Sequence, residues 1–307
     1  MPFMTGTWKP GSRAAVIGVP FFWLTVFFLL PFMLVLRISL AQMDGALVTP
    51  LLTFSEEVLT VRIHLTSFIQ LVTDDLYFAT YLVSVKYALI TALICLVIGY
   101  PFAYFISRSE QRWQPALLMG VMLPFWTSFL IRVYAWKSLL EPNGWVGAPI
   151  HASGIDEVLA FLGMIASPEQ LMYSPFSLVL GMVYTYLPFM VLPLYATLSK
   201  MDLRLIEAAQ DLGATPWQAF WRITVPLSKS GIVAGFMLVF IPCVGEYVIP
   251  ELLGGPETLM IGRVLWDEFF SNNDWPMASA VAVVMILVII VPIAIFGRNQ
   301  DHAQEAS

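Results

Sequence analysis

The chain has 307 residues, enough by length alone for two soluble domains. However, 59% of its residues are hydrophobic, 14% aromatic and only 12% charged, a bilayer-facing balance that excludes an ordinary water-soluble protein. A net charge of −6 without a dense basic cluster argues against nucleic acid as a partner. Cys95 and Cys243 both sit in apolar runs, so neither a disulfide framework nor a metal site is expected.

Six stretches are long enough to cross roughly 30 Å of hydrocarbon, at about 20 residues each. They run over residues 14–40, 77–107, 115–140, 176–198, 230–253 and 276–296. Lys9 and Arg13 ahead of the first stretch resemble the start of a signal peptide. Ala14 to Leu36 carries no charge, which is too long for a signal core, and no small-residue cleavage site follows. The reading is a retained first span. The expected fold class is therefore all-α, a single polytopic membrane domain over 1–307 with six transmembrane helices. No repeat, linker or separate soluble domain stands out.

Orientation follows the basic residues. Lys9, Arg13, Arg108, Arg112, Lys200, Arg204, Arg222, Lys229 and Arg298 place nine of the fifteen Lys and Arg at the termini and in two alternate loops. The intervening loops hold most of the acids, among them Asp44, Asp74, Glu141, Asp156, Glu257 and Asp274. Both termini and residues 199–229 are accordingly expected on the cytoplasmic side. Prolines recur inside the spans, at Pro20, Pro31, Pro101, Pro124, Pro188, Pro193, Pro242 and Pro250. Each frees a carbonyl and can kink its helix, and such breaks survive in lipid only where protein or a watered cavity supplies partners. Bent helices around a cavity suit a transporter better than an anchor.

Residues 202–226 are too polar to cross. Asp202 is the expected N-cap of a short helix and Gly213 its C′ stop, and Thr215-Pro216 restarts a second helix. Leu205, Ala208, Ala209 and Leu212 share one face of the first helix, beside a row of Arg204, Glu207 and Asp211. In the fifth span, Glu246 lies about 24 Å along the helix at 1.5 Å per residue. An ionisable side chain at that depth is costly and faces protein interior or water. Two readings stay open: an acidic contact on the route of a cationic substrate, or a structural pair with Arg132 or Lys137. Trp126, Tyr184, Tyr186 and Tyr247 lie near the same level. They can offer cation–π faces worth about 0.5–2 kcal/mol each, or form the ordinary interfacial aromatic belt.

No enzyme chemistry is legible. A Gly-Lys-Ser/Thr phosphate loop and a Gly-x-Ser-x-Gly elbow are absent, and His64, His151 and His302 lack metal-ligand spacing. No cofactor bound by this chain is expected.

Glu207-Ala208-Ala209, then Gly213, then Ile223-Thr-Val-Pro226 resembles the EAA loop of ABC-importer permeases. The one departure is Val225, where the motif usually has Leu. Gly99-Tyr-Pro-Phe-Ala103, Leu123-Pro-Phe-Trp-Thr-Ser-Phe-Leu-Ile-Arg-Val-Tyr-Ala-Trp136 and Gly245-Glu-Tyr-Val-Ile-Pro-Glu-Leu-Leu-Gly-Gly-Pro256 are similar to the putrescine/spermidine branch of that family. So are Met260-Ile-Gly-Arg-Val-Leu-Trp266 and Asn273-Asp-Trp-Pro-Met-Ala-Ser-Ala280, while Trp145 to Ile150 departs from it. The resemblance implies a type I permease in a bacterial inner membrane. Its partners would be a second homologous permease, two cytoplasmic ATP-hydrolysing subunits and a periplasmic polyamine-binding protein. Glu207, Ala208, Ala209, Gly213, Ile223 and Pro226 would then couple to the ATPase. The rival readings are a permease of the same fold for ferric iron or a phosphonate, and an ion-coupled secondary transporter.

Overall fold

The computed structural model describes residues 10–45, 47–55, 58–168 and 170–305. Its contacts divide into two compact units, the first holding residues up to Asp74 together with Asp267–Leu287, the second Asp75–Trp266 and residues from Val288.

In the first unit, α1 (Pro10–Leu24) passes through a π-helical turn, Thr25–Leu29, into α2 (Leu30–Ser39). The turn falls just before Pro31, whose ring lacks an N–H and crowds the carbonyl four residues back, and the wider π turn takes up that mismatch. Val16–Ser39 is apolar and long enough to span, and the side chains of its most apolar window are unburied within this chain. Two antiparallel hairpins follow. The first joins β1 (Met43–Asp44) to β2 (Leu47–Val48), and the second joins β3 (Leu52–Ser55) to β4 (Val58–Val61) in the register Leu52↔Val61. Helix α3 (Thr66–Thr73) completes this stretch. A second π turn, Asp267–Ser271, belongs to the same unit.

The second unit is built on three helices that pack on one another: α4 (Asp75–Arg108), α9 (Pro175–Leu198) and α13 (Lys229–Val244). The first two stay within two residues of the expected spans. A capping box starts α9, with Ser174 and Ser177 each accepting the other's backbone N–H. Small side chains line the contacts, as membrane helices need for close approach. Met190 of α9 fills the notch between Gly99 of α4 and Gly235 of α13. A Cβ on Gly99 would sit 3.1 Å from its Cγ, and one on Gly235 2.8 Å from its sulfur.

Two of the expected spans are not single helices. The stretch 115–140 divides into α5 (Gln114–Met122), a 3₁₀ turn (Leu123–Trp126) and α6 (Phe129–Leu139), with an 87° bend at Thr127-Ser128. Ser128 is extended (ψ 134°), so the helical ladder is interrupted outright. Beyond it, α7 (Gly147–Ser153) and α8 (Ile155–Phe161) form the loop before α9. The stretch 230–253 likewise breaks: α13 ends at Val244, and α14 (Val248–Leu253) starts a separate six-residue helix. Between α9 and α13 lie α10 (Arg204–Asp211), α11 (Pro216–Ala219), a π turn (Phe220–Thr224) and α12 (Val225–Leu227). The segment Pro216–Leu227 meets α13 at 64°. After α14 come α15 (Ile261–Trp266) and α16 (Trp275–Glu305), which runs past the expected end at residue 296. By length and composition the described residues contain three membrane-crossing helices, or up to five if each bent pair is one span, with Trp275–Ile290 a shorter apolar helix.

Candidate functional site

The amphipathic loop forms as its local signals demand. Leu203, not Asp202, holds the N-cap position of α10, yet the Asp202 carboxylate still accepts the Arg204 N–H at 3.0 Å, one residue from its expected role. Gly213 adopts φ +89° just past the helix, a left-handed conformation that disfavours a Cβ. Its N–H donates to the Gln210 carbonyl and the next, from Ala214, to that of Ala209, closing the helix end. Thr215 caps α11 in a reciprocal box with Gln218, with Pro216 at the first helical position.

Helix α10 packs on α11 and the following π turn, which brings Glu207, Ala208, Ala209 and Gly213 into one patch with that second segment. Ile223 is half-buried in the π turn, and Pro226 is exposed in α12. Leu205 is 47% exposed and Leu212 89%, so the apolar face of α10 is left open by its own chain. Trp217 and Trp221 extend the open surface at 69% and 53% exposure.

Glu246 lies just past the end of α13, in the break before α14. Its Oε1 accepts backbone N–H groups from Tyr247 (3.2 Å), Val248 (3.1 Å) and Ile249 (3.5 Å), so the carboxylate caps the start of α14. Its Oε2 accepts a hydrogen bond from the Tyr186 hydroxyl on α9. The structural pair with Arg132 or Lys137 is not formed. Arg132 is buried with its guanidinium over the rings of Phe125 (5.2 Å) and Phe129 (5.8 Å), and Lys137 Nζ sits over Tyr173 (5.5 Å). Among the described residues no cation forms an ion pair with Glu246. Glu246 is thus half-buried, with Tyr186 and three backbone N–H groups as its hydrogen-bond donors.

The aromatic candidates separate. Tyr186 joins Glu246, and Tyr247 stacks on Trp266 with centroids 4.4 Å apart. Tyr184 meets Trp136 edge-on at 5.4 Å and lines a cavity of about 350 Å³ between α4, α5 and α9, with Phe102, Leu117, Pro124 and Pro188. Trp126 is 70% exposed at the end of its 3₁₀ turn and makes no ring contact with the others. Sequence reasoning passed over Phe125 and Phe189, whose T-shaped contact at 5.1 Å carries the ring cluster from Arg132 towards Tyr186. Apolar residues in apolar runs give no local signal for that role.

Bent helices, an uncovered amphipathic loop and an acid at a helix break define a polytopic membrane component of a transport system. The chain belongs to the family described as "Binding-protein-dependent transport system inner membrane component", whose pattern covers residues 112–303. It is 38% identical to the spermidine/putrescine transport system permease protein PotB of Salmonella typhimurium over 276 residues, 90% of this chain and 89% of that one. It is 37% identical to the protein of the same name from Escherichia coli, over 90% and 93% of the two chains. Among solved structures, a bacterial ABC transporter involved in the import of the acidic polysaccharide alginate superposes with a TM-score of 0.61 at 16% identity, covering 97% of this chain and 99% of that one. A bacterial alginate ABC transporter in complex with an alginate pentasaccharide-bound periplasmic protein gives 0.56 at 18% identity, over 94% and 95%. The architecture is thus that of an ABC-importer permease, a multi-pass protein of the inner membrane.

Proposed function

We propose that this chain is one of two permease subunits of an ATP-driven importer of polyamines, putrescine or spermidine. Six spans cross the membrane with both termini in the cytoplasm, and the loop 199–229 is where one of two ATP-hydrolysing subunits docks. A periplasmic binding protein delivers the cation from the other side. ATP is consumed by the partners, and this chain itself holds no cofactor. The observation that carries the substrate class is Glu246, an acid at a helix break satisfied by Tyr186 and backbone amides instead of by an internal cation. The names of its relatives point the same way, and a lone acid there would repel an anionic phosphonate. The test is uptake of labelled putrescine and spermidine in a strain lacking only this chain and any redundant system. Loss of uptake, restored by the gene, is expected; unchanged uptake refutes the assignment.

A further inference from the structure

Three residues on one stripe of α4, Tyr100, Tyr104 and Arg108, follow i, i+4, i+8 spacing and so lie above one another near its C-terminal end. Phe220, the first residue of the π turn after α11, stands edge-on between the two tyrosines, with centroids 5.6 Å from Tyr100 and 5.8 Å from Tyr104. The Arg108 guanidinium closes the stack over Tyr104 at 5.1 Å. The Tyr100 hydroxyl also makes a 2.8 Å hydrogen bond with the hydroxyl of Ser228, a buried residue at the 64° bend between α12 and α13. One side chain of α4 therefore touches both ends of the segment that joins the surface loop to α13.

We propose that Phe220, seated between Tyr100 and Tyr104, is the positioning residue through which movement of the docked loop reaches the membrane helices, with Tyr100–Ser228 holding the bend as the two move together. The inference rests on the coupling reading of the loop. Tyr100 is buried and Tyr104 and Phe220 are half-buried, and edge-to-face rings so seated resist shear, because sliding them apart forfeits contacts on both faces at once. On the inner side of the clamp, α4 packs on α9 and α13, the helix that ends at Val244, two residues before Glu246. On the outer side, α10 packs directly on the π turn that Phe220 opens. Among the described residues, no other ring of the loop is shared between two side chains of α4: Trp217 and Trp221 contact Phe220 and each other.

The experiment uses the complete transporter in liposomes, with its second permease, ATPase subunits and spermidine-loaded binding protein, and reads spermidine taken up per ATP hydrolysed. For Phe220→Ala the ATPase subunits should co-purify at the wild-type ratio and hydrolyse ATP, while uptake per ATP falls at least tenfold. Phe220→Tyr, which keeps the ring, should restore it, and Tyr100→Phe, which removes only the hydroxyl, should cost about fivefold, the worth of one neutral hydrogen bond. A ratio within twofold of wild type for Phe220→Ala overturns the proposal. Independently of how that variant folds, Tyr104→Cys with Phe220→Cys should lose coupling before it is bridged, and a short bismaleimide between the two should recover uptake per ATP, since the proposal has them move as one body. No recovery on bridging refutes the clamp. A wild-type chain that retains no ATPase subunit instead sinks the coupling reading beneath it.

Discussion

Substitution can separate the cap that Glu246 forms on α14 from the contact with substrate proposed for it. Glu246→Gln keeps an oxygen to accept the three N–H groups at the start of α14 and sets an NH2 that donates to the Tyr186 hydroxyl oxygen, reversing that hydrogen bond, but removes the charge. Glu246→Ala removes both. Loss of a helix cap costs about 0.5–2 kcal/mol, and a buried hydroxyl left without its acceptor about 1–3 kcal/mol more. Alanine should therefore destabilise the folded chain by about 1.5–5 kcal/mol, and glutamine by much less. For transport the order of diagnosis reverses. If a substrate ammonium pairs with the carboxylate, glutamine forfeits a charge-assisted contact of about 1.5–3 kcal/mol, roughly a 10- to 150-fold loss of apparent affinity. The assay is the concentration dependence of labelled spermidine uptake, read beside thermal melting in detergent. Melting near wild type with a KM raised by that factor is the expected result for glutamine. An unaltered KM with normal melting refutes the substrate role and leaves Glu246 as a cap for α14 and nothing more.

Glu207→Lys should leave the protein in the membrane yet lower recovery of the ATPase subunits on co-purification; wild-type recovery would argue against docking through α10. At Gly213, with φ +89° and no atom within 4 Å of where a Cβ would stand, alanine meets only backbone strain, about 1–2 kcal/mol, and should weaken the same association without clashing with its own chain. Gly231→Ala is a different case, because its Cβ would stand 2.6 Å from Thr197 Oγ1 and 2.9 Å from the Pro193 carbonyl oxygen, a backbone atom of α9. That overpacking should cost about 1–3 kcal/mol and lower the melting temperature, and an unchanged melt would show that α9 and α13 separate easily. In the loop before α9, a 2.7 Å contact from His151 Nδ1 and the N–H of Glu157 hold the Asp156 carboxyl below its ordinary 3.8. A lowered folded value contributes stability above the ordinary one and loses it as pH falls through the folded one. Exchange protection at Leu159, Ile165 and Leu171, which pack together beside this pair, should fall below about pH 4, and Asp156→Asn should flatten that dependence.

Features with local causes were legible from sequence. The capping box at Thr215–Gln218, the left-handed Gly213 and the limits of α4 and α9 each depend on residues a few positions apart. The bends were not. Hydropathy sums composition, and Phe129–Leu139 is apolar whether it continues α5 or leaves it at 87°. The available hint was Pro124 followed by the polar pair Thr127-Ser128, a proline break with two hydroxyls that can bond the backbone instead of the ladder; Thr127 Oγ1 donates to the Pro124 carbonyl at 2.8 Å. Glu246 was legible as an anomaly, but its partner was not, since Tyr186 lies on another helix and the nearer-looking cations Arg132 and Lys137 turn to aromatic faces.

The two regions read separately in the sequence are ends of one element. Helix α13 begins at the bend marked by Ser228 and stops just before the break occupied by Glu246, 16 residues or about 24 Å, with Pro242 near its end. Its contacts with α9 run through Gly231 and Gly235, so α9 cannot rotate against it without Met190 or Thr197 meeting backbone. A helix so confined moves with its neighbours or not at all. On the coupling proposed above, displacement imposed at the loop end would arrive at the Glu246 end as a change in how α9, which carries Tyr186, and α14, which carries the capped amides, share one carboxylate. Breaking that sharing would free an acceptor oxygen, and under the proposed function a substrate ammonium is the donor that would take its place.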